Sequence, residues 1–307
     1  MSNYQIHEDF KKIKMTNPPI FTPLLPLFNG FLKLMFNIIP KMKGIKLTTL
    51  KILGFQNDLI KIKLFEKENQ EENAPCIVFF HGGGFVSQGS PHYKNLMMNY
   101  VLDIDCKIVY VDYRLGPKYV FPVGVEDCYR AYMWVLDNAK ELKINPSKIA
   151  LAGDSAGGAM VAAVNAMAHD RMKPVSCFQM MIYPVTDSRQ NTKSMECFQD
   201  TPIWNAPLNA KMWKTYLKNG YGLNKGYASI SELNSFEYFP NTYIEVAEFD
   251  CLHDEGLNFH NLLKKAAVKS EIIERTGAIH GFEIVMKSQY VQQCIKERIE
   301  VFKKAFI

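Results

Sequence analysis

The sequence predicts an α/β protein, a mostly parallel sheet covered by helices on both faces. Three observations carry that prediction. From about residue 50, short apolar β-rich runs alternate with longer segments of helical character, the rhythm of strands joined by crossover helices. Two runs, 77–80 and 149–152, are apolar without interruption, as strands buried on both faces are. At 307 residues, with 48 % hydrophobic and 22 % charged, the chain can bury such a sheet without a disulfide scaffold.

In chain order, the first element is a helix. Residues 21–40 carry a single charge, Lys33, and Pro23 and Pro26 break the first part. The remaining 27–39 is too short for the ~20 residues that span a bilayer. Asn29, Lys33 and Asn37 recur every four residues, which makes one polar stripe on an otherwise apolar helix. Packing on the protein's own body is the favoured reading. A membrane-surface helix flanked by Lys41, Lys43 and Lys46 is the second. Strands are then expected at 50–64 (two, if broken near Gln56-Asn57-Asp58), 76–80, 107–112, 148–153, 177–183, 242–248 and 271–276. Helices are expected at 91–102, 123–140, 156–168, 252–267 and 287–304. The polar and aromatic stretch 187–231, with Trp204, Trp213, Tyr216 and Tyr221, breaks the rhythm and reads as an insertion.

Composition excludes several classes of function. The net charge of +5 is too mild and scattered for a nucleic-acid footprint. Seven cysteines without C-x-x-C spacing suggest neither a disulfide framework nor a zinc site. No N-x-S/T site and no basic-then-apolar leader is present, so the cytoplasm is the expected location.

Two motifs carry chemistry. Gly153-Asp154-Ser155-Ala156-Gly157-Gly158 lies between an apolar run and a small-residue helix. A serine on such a sharp strand-to-helix turn lifts its hydroxyl above the sheet, and the flanking glycines permit the turn. His81-Gly82-Gly83-Gly84-Phe85 directly follows another strand, where bare backbone N–H groups can hold an anion or a developing oxyanion. A phosphate loop is the rival reading, but the G-x-x-x-x-G-K-[ST] pattern is missing. A serine nucleophile needs a base, and the base needs an orienting acid. Of seven histidines, His280 stands in a loop after the last strand. His169 and His260 fall within helices, and His81, heading the glycine loop, suits a structural hydrogen bond. Asp250 ends the 242–248 strand, whereas the rival Asp254 comes a helical turn later. The order Ser155, Asp250, His280 is that of a known nucleophile-elbow arrangement.

With these residues in place, the chain resembles the hormone-sensitive-lipase-like group of α/β-hydrolase carboxylesterases. The features that carry the resemblance are His81-Gly82-Gly83-Gly84, Asp112-Tyr113-Arg114-Leu115, Phe121-Pro122, the serine motif, Asp250-x-Leu252-x-Asp254-Glu255-Gly256 and His280-Gly281-Phe282. Cys251 stands where the family usually has proline after the acid, and Lys118 reverses a glutamate charge. The resemblance implies an eight-stranded α/β-hydrolase domain with a cap built from residues 1–45 and 187–231. It implies an oxyanion hole of the Gly83, Gly84 and Ala156 N–H groups. Relatives of this group often form homodimers.

The expected function is hydrolysis of short-to-medium acyl esters. Ser155 would attack, His280 would shuttle the proton, and Asp250 would hold the imidazole, with no metal or cofactor required. Phe28, Phe31, Met35 and Phe36 would form a greasy acyl pocket. The partner is therefore a small acyl ester, with no nucleic acid and no integral membrane segment. An amidase or deacetylase using the same residues, or a non-catalytic small-molecule binder, are the alternatives.

Overall fold

A computed structural model describes residues 4–222 and 224–307. Met1–Asn3 of the expected cap and Leu223 of the expected insertion lie outside the described residues.

Helix α1 (Leu25–Ile38) precedes an antiparallel hairpin of β1 (Ile45–Leu53) and β2 (Leu59–Lys67). Then come β3 (Ala74–Phe80), α2 (His92–Ile104), β4 (Lys107–Asp112), α3 (Val123–Asp137), β5 (Ile144–Asp154) and α4 (Ala156–Asp170). After β6 (Phe178–Ile182), three short helices follow: α5 (Lys193–Cys197), α6 (Ala206–Tyr216) and α7 (Lys225–Ala228). The chain closes with β7 (Asn241–Phe249), α8 (His253–Lys265), β8 (Ser270–Ile279) and α9 (Gln289–Ala305). The strands form one eight-stranded sheet in the order β1-β2-β4-β3-β5-β6-β7-β8. β2 is antiparallel to β1 and β4, and the other pairings are parallel.

The expected 50–64 run is two strands, broken where anticipated: Gln56 and Asn57 take positive φ of 58° and 61° in the turn. The first strand begins earlier than expected, at Ile45. It is the exposed edge of the sheet, and its lysines blunt that edge while hiding the apolar signal of a strand.

Strand alternation divides the core in two. Cys76, Val78 and Phe80 of β3 enter one buried cluster with α3, α4 and α8 residues. Ile77 and Phe79 enter the other, with α2 and α9 residues. Successive side chains of a strand point to opposite faces, so a strand between two helical layers must be apolar throughout.

Two further segments meet above the carboxyl ends of the central strands. Asn29 of α1 donates from Nδ2 to the Val86 carbonyl (3.0 Å) and accepts from the Gln88 N–H (2.9 Å), which ties the helix to the loop after β3. The Ile203 N–H donates to the Met15 carbonyl (2.7 Å), and Asn205 Nδ2 donates to the Thr16 carbonyl (2.8 Å). The N-terminal segment and the insertion thus hold each other directly.

Candidate active site

Ser155 lies between β5 and α4 at φ 54°, ψ −122°. A side-chain-bearing residue rarely adopts a positive φ, and here the surroundings over-determine it. Its N–H donates to the Ile182 carbonyl at 2.8 Å, and its carbonyl accepts from the Val185 N–H at 3.1 Å. Gly157 permits the turn: a Cβ there would stand 2.0 Å from the Phe80 carbonyl oxygen. The turn, β6 and the end of β3 therefore brace one another.

His280 follows β8. Its Nδ1–H donates to Asp250 Oδ2 at 2.6 Å, and Nε2 stands 2.9 Å from Ser155 Oγ, from which it accepts. Asp250 comes directly after β7, is fully buried, and its Oδ1 accepts the Leu252 N–H at 3.0 Å. A carboxylate so held fixes one imidazole tautomer and leaves Nε2 free to take the hydroxyl proton. Asp254, the rival acid, instead accepts the Ser194 N–H at 2.8 Å and pairs with the neighbouring His253.

The glycine loop faces this line. Gly83 has φ 121° and Gly84 φ 59°, and the Gly83 carbonyl accepts the Val86 and Ser87 N–H groups. His81 anchors the loop from below: its Nδ1–H donates to the Gly82 carbonyl at 2.7 Å, and its ring stacks on Tyr113 (centroids 4.5 Å). Burial holds its pKa down to about 4, so the ring stays neutral and structural, as its position in the sequence suggested.

A cavity of about 170 Å³ opens over these groups. Gly82, Gly83, Gly84, Ser155 and His280 line it, together with Phe28, Leu32, Ile203, Trp204 and Tyr183. A larger cleft of about 660 Å³, between Lys33 and Lys118, contains none of Ser155, Asp250 or His280 and lies away from this chemistry.

Of the four residues expected in an acyl pocket, only Phe28 lines the cavity. Each α-helical residue turns about 100°, so Leu32, one turn on from Phe28, shares its inward side. Phe31 falls on the outer side and is exposed. Phe36 is buried further along, over the Tyr110 ring at 5.5 Å, and Met35 does not line the cavity. Sequence reasoning also missed Trp204, whose ring sits 5.9 Å from that of His280, and the pair Asp154 and Tyr93 beneath the loop. Trp204 stood out only as an aromatic in the insertion. Nothing local marked its meeting with the site.

Fold and site together define a class: a hydroxyl, an imidazole and a carboxylate aligned at the carboxyl ends of a parallel sheet are the constellation of an α/β hydrolase. A family model described as alpha/beta hydrolase fold matches residues 77–284. The carboxylesterase NlhH of Mycobacterium tuberculosis is 32 % identical over 234 residues, 73 % of this chain and 71 % of that protein. The esterase LipI of the same species is 31 % identical over 214 residues, 69 % of this chain and 67 % of the relative. Among solved structures, a bacterial heroin esterase superposes with a TM-score of 0.90 at 27 % identity, covering 99 % of this chain and 98 % of that one. The chain belongs to the alpha/beta hydrolase fold family, in its hormone-sensitive-lipase-like carboxylesterase group, and is a carboxylic ester hydrolase.

Among the described residues no helix is long and apolar enough to cross a membrane. No cluster of three or more His, Cys, Asp or Glu side chains among them could hold a metal ion.

Proposed function

We propose that this enzyme hydrolyses short-to-medium acyl esters through a covalent acyl-Ser155 intermediate. The hydrogen-bonded line from Ser155 through His280 to Asp250 carries the reading. Ser155 Oγ attacks the acyl carbonyl while His280 Nε2 takes the hydroxyl proton. The N–H groups of Gly83, Gly84 and Ala156 receive the negative oxygen of the tetrahedral intermediate. Collapse expels the alcohol, which takes the proton from His280. A water then attacks the acyl-enzyme by the same route in reverse and releases the acid.

The substrate range follows from the cavity. The N-terminal segment and the 187–231 insertion act as a cap over one hydrolase domain, and Phe28, Leu32, Ile203 and Trp204 give the acyl group an apolar seat. About 170 Å³ suits a short chain better than a fatty acyl tail. The seven cysteines, all unpaired, suit a reducing compartment such as the cytoplasm.

The test is a series of p-nitrophenyl esters from acetate to palmitate beside matched aryl amides. Hydrolysis is expected to favour the short and medium esters over both palmitate and the amides. Ser155→Ala is expected to fall to background while keeping its melting temperature, and only the parent enzyme should gain mass with a fluorophosphonate. Undiminished turnover by Ser155→Ala would falsify the assignment, and amide turnover above ester turnover would move the enzyme to the amidases.

A further inference from the structure

Helix α1 has two apolar faces, and the protein covers only one. Leu25, Leu32 and Phe36 turn inward and are buried, and Leu32 with Phe28 lines the cavity over Ser155. Leu24, Leu27, Phe31, Leu34 and Ile38 recur at alternating steps of three and four residues. At 3.6 residues per turn they form a single stripe along the outer side. Each is between 56 and 73 % exposed. Scattered exposed apolar residues are ordinary, but five aligned along one helix make a contiguous patch of the kind that marks an interaction surface.

The charge around that stripe says what it meets. Residues 10–57 hold eight lysines and not one aspartate or glutamate. The whole chain carries +5, so this segment's +8 is set against a net −3 on all the rest. Lys11 and Lys46 pair with Glu8 and Glu66. Lys12, Lys14, Lys33, Lys41, Lys43 and Lys51 make no ion pair among the described residues. A second copy is a poor occupant: a two-fold contact would press this lysine-bearing segment, itself without aspartate or glutamate, against its own copy. An anionic lipid surface offers what the segment lacks, an apolar layer for the stripe and negative headgroups for the lysines. The helix has 14 residues, about 21 Å at 1.5 Å per residue, against the ~30 Å hydrocarbon core, so it can lie in the interface but cannot cross it.

We propose that α1 and its flanking lysines adsorb this protein onto anionic lipid surfaces, with the helix in the membrane plane and the 24/27/31/34/38 stripe at the headgroup–acyl boundary. The inner face of the same helix is a wall of the catalytic cavity, so adsorption sets that cavity beside the lipid, where apolar esters concentrate. That consequence rests on the esterase reading; the adsorption itself does not.

The experiment is co-sedimentation of the full chain with vesicles of equimolar phosphatidylcholine and phosphatidylglycerol, and with phosphatidylcholine alone. The protein is expected to pellet with the anionic vesicles, to do so less as salt rises, and to stay in the supernatant with the neutral ones. Leu27→Ser/Leu34→Ser/Ile38→Ser is expected to weaken binding at least roughly tenfold, because three apolar side chains leave the boundary. Lys41→Gln/Lys43→Gln is expected to weaken it several-fold. Both variants should keep the parent's circular dichroism spectrum and its rate on water-soluble p-nitrophenyl acetate. Should the parent hydrolyse no ester at all, the sedimentation result still decides the adsorption. The proposal fails if the parent ignores anionic vesicles, if neutral vesicles bind it equally, or if the triple-serine variant binds like the parent. It also fails if ultracentrifugation finds a dimer that the serine substitutions split, which would give the stripe to a second copy.

Discussion

Asp154, the residue before Ser155, is buried and accepts hydrogen bonds from the Gly82 N–H at 3.1 Å and from the Tyr93 hydroxyl. It thereby ties the Ser155 turn to the glycine loop. Burial pushes its pKa up to about 7. The folded chain therefore holds this proton more tightly than the unfolded chain, whose aspartates titrate near about 4. The resulting stabilisation is complete below about pH 4 and is lost as pH rises through about 7. Asn at this position can accept from Gly82 and donate to Tyr93 but carries no charge at any pH. Asp154→Asn is expected to lose less stability than the parent between pH 4 and 8, by as much as a few kcal/mol. Urea denaturation across that range checks it, and parallel curves for the two proteins would contradict the titration. The three residues in line with the hydroxyl were legible in the sequence because each sits at a strand end in a recognisable order. Asp154 occupied an unspecified position of the serine motif. Its partner Tyr93 lies 61 residues away with no pattern joining them.

At the scale of elements, the glycine loop is the part least able to change. A Cβ on Gly83 would come within 2.6 Å of the Ser87 carbonyl oxygen, and φ there is 121°. Any side chain must therefore turn the N–H groups away from where the proposed oxyanion would form. Gly83→Ala is expected to lower kcat on the order of 10²–10³-fold with little change in melting temperature. Stopped-flow or steady-state assays with p-nitrophenyl butyrate measure this, and an unaltered kcat would remove Gly83 from the mechanism. The same scale explains why α1 was only half read. Its Asn29–Lys33–Asn37 stripe announced an amphipathic helix, and Asn29 does bind the protein's own loop. Which of its apolar sides would face the cavity depended on where that loop lay. Phe28 lines the cavity, whereas Phe31 stands exposed on the outer side. β1 was partly missed because an edge strand carries lysines where a central strand carries valine or isoleucine.

Across the whole molecule, one buried ion network binds the last helix to the sheet and to the site. Arg298 of α9 pairs with Glu245 on β7 and with Glu283, three residues beyond His280. Arg275 of β8 also pairs with Glu245, and the Tyr183 hydroxyl donates to Glu283. Arg298→Met leaves Glu283 buried without its cation, so a loss of about 3–5 kcal/mol is expected. A lower kcat should accompany it, as the turn carrying His280 loosens. Chemical denaturation beside kinetics gives both numbers, and a loss under about 1 kcal/mol would show that the network holds little.

Local order in the chain determined much of this protein. The α/β class, the central strands and the serine turn were all legible in it. So were the glycine loop and the strand-end positions of Ser155, Asp250 and His280, whose side chains the fold brings into hydrogen-bond contact. Each depends on what a backbone can do within a few residues: alternate apolar side chains, turn sharply where glycine leaves room, or end a strand in a polar group. Tertiary structure alone decided that Trp204 would stand over Gly84, that Asp154 would meet Tyr93, and that Arg298 would reach Glu283. It also decided which apolar face of α1 would go uncovered. Those outcomes are contacts between segments far apart in the chain. Their partners are chosen by packing and burial, which leave no period in either segment's own sequence.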